Sequence, residues 1–452
     1  MKNIFKYYVV LGTIIYIFMY IFIPVSNDLS QITEVLLITP LMMYFFVPKF
    51  FKQNNKNYKS INLGLIYFFA MIVFMLFGNI SNFVIKFVYP YYDDYIKSTN
   101  LYYLAGIFFF LIGYFWQTRR LPTKYNYCMP IKIKYIIVIF CLVLLSIYVL
   151  FISKGLIPLL SSAGGIARFS PSEASTIHVR LWSLCTVTAL LAFSYYKNIN
   201  KSFIALSFFV LSFFISFFFG IRIYPFLIFV TVAVMWYSTK NDIKKIVIYG
   251  LLFVAIFSIV NSIFVDYREP SYSINSIRTE ASLNFFQRNV FYTTFNEYEQ
   301  MKTAINIYNE EPQYGKTLLS IPLGFVPAPL LSPFDVVKSE IQENNSAVIM
   351  ARYLNSQSSS GIRIGIMGEF FINFRYFGCI FMVFIGMIVG ILQKKIQITD
   401  IKDWRYVFYL LFFTIMLYAL IGQIDAIVSL FGNYFILFLV INLLTKKQFV
   451  SS

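Results

Sequence analysis

Long apolar runs are the feature that most constrains this chain. Twelve of them approach the ~20 residues that an α-helix needs to cross the hydrocarbon core of a bilayer. Because lipid offers no partner for unpaired backbone groups, we expect them to be helices, and they lack the alternation that barrel strands require. The predicted spans are 4–23, 29–48, 61–80, 99–116, 135–152, 179–196, 202–219, 221–238, 246–263, 371–392, 404–421 and 427–444.

Composition agrees with a polytopic membrane protein, because 59% of the residues are hydrophobic and 13% are charged. The net charge of +17 would suggest nucleic acid for a soluble protein. Cytoplasmic loops of membrane proteins collect Lys and Arg for topological reasons, so we expect no nucleic-acid partner. The four cysteines show no Cys-x-x-Cys spacing, so no disulfide framework, metal site or cofactor is predicted.

The gaps between predicted spans are alternately rich in lysine, which places both termini in the cytoplasm. The chain then divides into spans 1 to 9 with short loops (1–263), a large external loop (264–364) and spans 10 to 12 (365–452). Within the loop, 282–308 has the spacing of an amphipathic helix. This helix either lies on the outer leaflet or covers the mouths of the other helices. A proline-rich linker (322–333) and a second helix (344–355) follow.

Arginine and lysine are distributed differently between the two predicted sides of the membrane. Nine of the twelve arginines fall on the outer side or in the outer ends of spans, although a topology signal could use either base. A planar guanidinium holds phosphate or carboxylate with two hydrogen bonds, which favours an external anionic site. The alternative is that arginine stands where packing needs it. The outer arginines are Arg168, Arg180, Arg222, Arg268, Arg278, Arg288, Arg352, Arg363 and Arg375.

Three outer arginines and two possible bases are candidate site residues. Arg222 occupies a tight reversal between two spans. It is either a functional-site residue or a side chain that extends to the phosphates of lipid headgroups. Arg168 and Arg180 flank another outer loop and either clasp a diphosphate or act as interfacial anchors. His178, the only histidine, is a natural proton acceptor or a structural residue. Glu369 is a candidate base, and the alternative is an ion pair with Arg363 or Arg375.

The run Gly-Ile-Met-Gly-Glu-Phe-Phe-Ile-Asn-Phe-Arg-Tyr-Phe-Gly at 365–378 resembles a signature of the Wzy-type polymerases of bacterial O-antigen and capsule repeat units. The Gly-Ile-Arg reversal at 220–222 and the proline-rich linker are similar to that family too. An Arg-x10-Gly pattern of some members is absent from both large external loops. The resemblance implies an all-α polytopic protein of the bacterial inner membrane, with about 12 transmembrane helices, one large periplasmic loop and a GT-C-like fold.

The resemblance further implies a glycosyltransferase that polymerises undecaprenyl-diphosphate-linked repeat units at the periplasmic face. Its substrates would be a lipid-linked glycan donor and acceptor in the bilayer, with a chain-length regulator and a flippase as further partners. Arg222 and Arg363 would bind the diphosphate, Arg168, Arg180 and Arg268 would be secondary clamps, and Glu369, ahead of His178, would be the base.

Two other functions stay open at this stage. An O-antigen ligase is expected to carry a histidine inside the long loop, and 266–363 contains none. A flippase or transporter of the lipid-linked oligosaccharide should show internal repeats and short external loops, and the sequence shows neither.

Overall fold

The structure is a computed structural model, and all regular secondary structure in the residues it describes is helical. It describes residues 46, 62–86, 96–119, 133–153, 176–218, 223–240, 301–305, 308, 312–318, 346–353, 364–422 and 424–449. The helices are α1 (Leu63–Lys86), α2 (Ile96–Thr118), α3 (Ile133–Ser153), α4 (Thr176–Asn198), α5 (Ser202–Phe218), α6 (Ile223–Lys240), α7 (Ser346–Tyr353), α8 (Gly365–Phe374), a 3₁₀ segment (Arg375–Phe381), α9 (Met382–Ile398), α10 (Trp404–Tyr418) and α11 (Ile424–Phe449).

The predicted helices are confirmed where the structure describes them, with the exception of the run 371–392. Helices α1 to α6 coincide with the six predicted runs from 61–80 to 221–238, and α10 and α11 coincide with the last two. The predicted loop helix at 344–355 corresponds to α7. The predicted runs 4–23 and 246–263, and all of 29–48 except Phe46, lie outside the described residues, as does most of the predicted amphipathic helix.

By length and composition alone, two helical stretches are long and apolar enough to cross a membrane, Ser98–Thr118 and Gly365–Ile398, and the second is interrupted at Arg375. The other apolar helices in the described part are shorter by this measure, so the twelve-span topology stays a prediction. Many large apolar side chains nevertheless face outwards, for example Phe203 at 83%, Leu145 at 58% and Leu443 at 64% exposure. Water-soluble proteins rarely expose apolar surface on this scale.

Helices α2 and α9 pack backbone against backbone at the centre of the molecule. A Cβ atom on Gly113 would lie 2.0 Å from the carbonyl oxygen of Val383, and one on Gly386 would lie 2.1 Å from that of Phe110. Gly386 and Gly390 form a Gly-x-x-x-Gly pair, the spacing that lets membrane helices approach closely. Glycine is therefore required at this crossing.

Contacts between helix ends show that basic residues gather at one end of the bundle. Asn198, at the end of α4, donates to the Ile401 carbonyl before α10 (3.3 Å), and the Leu63 amide donates to Gln393 Oε1 near the end of α9 (2.7 Å). The Lys197 ammonium lies 3.6 Å from the centre of the Trp236 ring in α6. Residues of this basic end are Arg119, Lys197, Lys201, Lys394, Lys395, Lys402 and Arg405.

The opposite end of the bundle collects the starts of α2, α4, α6 and α11, and with them helix α8. The Ile366 amide donates to the Ala419 carbonyl just after α10 (2.8 Å), and the Tyr102 hydroxyl of α2 donates to the Met367 carbonyl (3.0 Å). The gathering of basic residues at the other end of the bundle agrees with the alternation of lysine-rich gaps in the sequence. We call this end the outer end, after the predicted topology.

The predicted span 371–392 is wrong as one straight helix. Gly378 lies so close to the Phe370 carbonyl that a Cβ atom would be 2.3 Å away, and the rings of Phe374 and Phe381 stack at 4.6 Å. Eight residues of a straight α-helix would separate Gly378 from Phe370 by ~12 Å. The chain therefore turns back at Arg375, and the 3₁₀ segment packs against α8 before α9 begins.

Buried polar side chains tie the helices together at defined points. Asn79 of α1 and Asn100 of α2 exchange two amide hydrogen bonds of 2.9 Å. Asp403 caps α10 by accepting from the Arg405 amide at 2.9 Å, and the same carboxylate pairs with the Arg405 guanidinium at 2.5 Å. The asparagine pair fixes the register of α1 against α2, and the Asp403 contacts fix the start of α10.

Candidate functional site

Glu369 lies in the interior at the outer end of the bundle, with 1% of its surface exposed. The Thr317 hydroxyl donates to Oε1 at 2.5 Å, and the Ser346 hydroxyl donates to Oε2. Both donors belong to the long loop between the two groups of predicted spans. Glu369 thus joins two separate loop segments, 312–318 and 346–353, to helix α8. We call the four residues Glu369, Thr317, Ser346 and Asn373 the carboxylate clasp.

Asn373 completes the clasp from one helical turn further along α8. Its Nδ2 atom donates to the Thr317 hydroxyl at 2.6 Å and to the Glu369 carbonyl at 2.8 Å. Backbone contacts reinforce the docking, because the Gln313 amide donates to the Ile372 carbonyl at 2.8 Å. The loop segment 312–318 consequently packs against α8. Helix α8 therefore contacts both the loop and the bundle.

The clasp determines what Glu369 can do in this arrangement. Its two oxygens already accept hydroxyl hydrogen bonds, and its burial separates the carboxylate from solvent. A general base must come within hydrogen-bond reach of its substrate. In this geometry the carboxylate positions the loop. Its predicted catalytic role stays a prediction.

The alternative that Glu369 forms an ion pair with Arg375 is not what the structure shows. Across the ranges that the structure describes, Arg375 makes no ion pair, and its Nε atom is buried without a hydrogen-bond partner. Arg363, the other arginine considered, lies outside the described residues. Glu369 instead accepts hydrogen bonds from the hydroxyls of Thr317 and Ser346.

Helix beginnings at the outer end carry two predicted site residues. His178 and Arg180 are the third and fifth residues of α4. About one turn after His178, Trp182 of α4 stacks with Tyr224 of α6 at 6.3 Å, so the beginnings of these two helices are neighbours. Arg222 directly precedes α6 in the sequence and itself lies outside the described residues. The backbone thus places positions 178 and 180 at the outer end of the bundle.

The remaining predicted diphosphate ligands are not described. Arg168, Arg268 and Arg363 lie outside the described residues, as does the proline-rich linker. Their proposed roles stay predictions. In the part of the chain that is described, no three His, Cys, Asp or Glu side chains come together as metal ligands.

Sequence analysis did not select Thr317, Ser346 or Asn373. Asn373 carried a usable signal, because residues four apart lie on the same face of a helix and it follows Glu369 at that spacing. Thr317 and Ser346 carried none, since they lie 52 and 23 residues before the carboxylate in the chain. Only the tertiary fold brings them to Glu369.

Comparisons with models of protein families, with curated proteins and with solved structures give no significant match.

Proposed function

We propose that this protein is a membrane glycosyltransferase that polymerises undecaprenyl-diphosphate-linked oligosaccharide repeat units, of the O-antigen or capsule type, at the periplasmic face of the bacterial inner membrane. The carboxylate clasp is the observation that carries the proposal. It joins two segments of the long loop to the end of the bundle at which α4 begins, and α4 carries both His178 and Arg180. A loop held over the ends of helices can enclose a reaction between lipid-linked substrates.

The outward-facing apolar side chains and the long apolar helix α2 support a position in the bilayer. A lipid-linked substrate would keep its polyprenyl chain in the hydrocarbon region and present its diphosphate at the outer end of the bundle. The separation of basic residues at the other end agrees with that orientation, because positive residues collect in the cytoplasm.

The proposed reaction is a displacement at the anomeric carbon of the donor glycan. The acceptor hydroxyl oxygen forms the new bond to that carbon, and the bond from the carbon to the lipid diphosphate breaks with its electron pair leaving on the diphosphate. A base takes the hydroxyl proton. Guanidinium groups that are already in place would stabilise the charge that develops on the leaving diphosphate.

Each predicted residue then has a role in the proposal. Arg222 and Arg363 bind the diphosphate, with Arg168, Arg180 and Arg268 as secondary ligands. The buried clasp supports Glu369 as the residue that positions the loop, so the base role falls first on His178. If the clasp opens when substrate binds, Glu369 can take that role instead.

The test uses a strain whose surface glycan gives a ladder of chain lengths and whose own polymerase is replaced by this protein. Arg222→Ala is expected to reduce the ladder to a single repeat unit on the lipid anchor. Arg119→Gln, which removes a guanidinium from the basic end, is the matched control and is expected to keep the ladder. An intact ladder with Arg222→Ala refutes the proposed site. Loss of all surface glycan indicates a flippase or a ligase.

His178→Asn and Glu369→Gln separate the two base candidates. Removal of the base should lower the rate of polymerisation and abolish the pH dependence near neutrality, whereas removal of a positioning residue should lower the rate and leave the pH profile in place. We expect the first result for His178→Asn and the second for Glu369→Gln. The reverse outcome would assign catalysis to the clasp.

A further inference from the structure

The reversal between α8 and α9 holds Arg375 in an unusual backbone conformation. Its φ of 54° and ψ of −139° lie in a region that side chains other than glycine rarely adopt. The chain needs a turn here, because the Arg375 amide must cap α8 on the Phe371 carbonyl while the following residues fold back. Glycine or asparagine would meet this backbone requirement at lower cost, so the sequence has a reason to keep arginine.

Among the described residues, no hydrogen-bond or ion-pair partner accounts for an arginine at position 375. Its Nε atom is buried without a hydrogen-bond partner, and the guanidinium forms no ion pair with the residues that the structure describes. Two other described arginines have neighbours of suitable chemistry. Arg405 pairs with Asp403 at 2.5 Å, and Arg119 lies 5.0 Å from the centre of the Trp116 ring. A partly buried guanidinium with open donors is costly unless an anion meets it.

The surface beside Arg375 is apolar. Tyr376 and Phe377 follow it with 44% and 76% of their surfaces exposed, and Ile380 and Phe384 continue the exposed patch along the 3₁₀ segment and the start of α9 at 44% and 57%. A soluble anion would use the guanidinium and leave this patch bare. A molecule with an anionic head and a hydrocarbon chain would satisfy both.

We propose that the reversal at Arg375 is a binding site for the phosphate group of a membrane lipid. Phosphate oxygens would accept hydrogen bonds from the guanidinium fork, and the hydrocarbon chain would lie over Phe377, Ile380 and Phe384. Aromatic side chains such as Tyr376 and Phe377 commonly stand at the boundary between headgroups and hydrocarbon. The site is independent of the proposed function, because a phospholipid and a polyprenyl phosphate offer the same phosphate chemistry.

The test measures lipid binding to the full chain, purified in a phosphate-free maltoside detergent, by native mass spectrometry. The probes are phosphatidylglycerol, a short polyprenyl phosphate, diacylglycerol and inorganic phosphate. We expect both phosphate lipids to bind and diacylglycerol and inorganic phosphate to bind much more weakly. Arg375→Gly should weaken binding by about 10- to 100-fold, the loss expected for charge-assisted hydrogen bonds. Competition between the two phosphate lipids then identifies the preferred source.

Controls keep the result interpretable. Glycine tolerates the positive φ, so Arg375→Gly should melt at or above the temperature of the parent, and Arg375→Asn provides a second variant that suits the same backbone. Arg375→Lys keeps the charge without the fork and should bind weakly. Arg119→Gln, at the basic end, should bind like the parent. Equal binding by Arg375→Gly and the parent, or equal binding of diacylglycerol and phosphatidylglycerol, would overturn the proposal.

Discussion

Replacing Gly386 by alanine should destabilise the protein, although alanine is the better helix former. The new Cβ atom would lie 2.1 Å from the Phe110 carbonyl oxygen and 2.8 Å from the Tyr114 amide nitrogen, well short of the 3.4 Å at which ordinary contact begins. Both obstacles are backbone atoms of α2, so no rotamer change can relieve the contact. The two helices must move apart along their whole crossing.

The expected cost follows from two opposing effects. Alanine gains about 1 kcal/mol of helix propensity over glycine. Forcing an extra carbon into a packed interface costs about 1–3 kcal/mol, and rigid backbone on both sides places Gly386→Ala at the upper end. The net loss of about 2 kcal/mol should lower the melting temperature by about 2 °C, since the unfolding entropy grows with chain length.

Gly106→Ala is the matched control, because Gly106 lies in α2, the helix against which Gly386 packs, but faces a different obstacle in α8. Its Cβ atom would meet the end of the Met367 side chain at 2.2 Å, and a flexible thioether can move away. We expect its melting temperature to equal or exceed that of the parent. The assay is thermal unfolding in mild detergent, followed by size-exclusion chromatography. A Gly386→Ala protein as stable as Gly106→Ala would refute the close crossing of α2 and α9.

Three further outcomes follow from the buried polar contacts. Asn79→Leu or Asn100→Leu alone should cost about 1–2 kcal/mol by removing the two hydrogen bonds between the amides, whereas the double variant should recover much of that loss in a double-mutant cycle of melting temperatures. Asp403→Asn should retain the cap of α10 and lose only the ion pair with Arg405, so it should melt above Asp403→Ala, which also loses about 1 kcal/mol of capping. Glu369→Ala should speed protease cleavage within the loop segment 312–318 more than Glu369→Gln does, because glutamine keeps an acceptor for one hydroxyl; equal cleavage would contradict the clasp.

Helix positions were predictable from the sequence because apolar length is a local property. The run at 99–116, for example, coincides with α2 (Ile96–Thr118) to within a few residues. The reversal at Arg375 was not predictable in the same way, since the predicted run 371–392 contains no proline and its only charged residue is Arg375 itself. The turn arises from packing of the 3₁₀ segment against α8, which hydropathy does not register.

The candidate site, too, was predictable only where the signal is local in the sequence. Glu369 stood out as a carboxylate within an otherwise apolar stretch, which is a sequence signal. Its partners Thr317 and Ser346 are ordinary hydroxyl residues of a long loop, and nothing in their spacing points to the carboxylate. A buried acid can thus be recognised from its own surroundings, while the groups that satisfy it depend on the whole fold.

The order in which the clasp residues occur has a consequence for biosynthesis. Ribosomes make Thr317 and Ser346 before Glu369, so the loop leaves the ribosome while its buried anchor is still missing. Those two segments can dock only after α8 has been synthesised, late in translation. Chains truncated before residue 369 should therefore carry an undocked loop even when every earlier helix is in place.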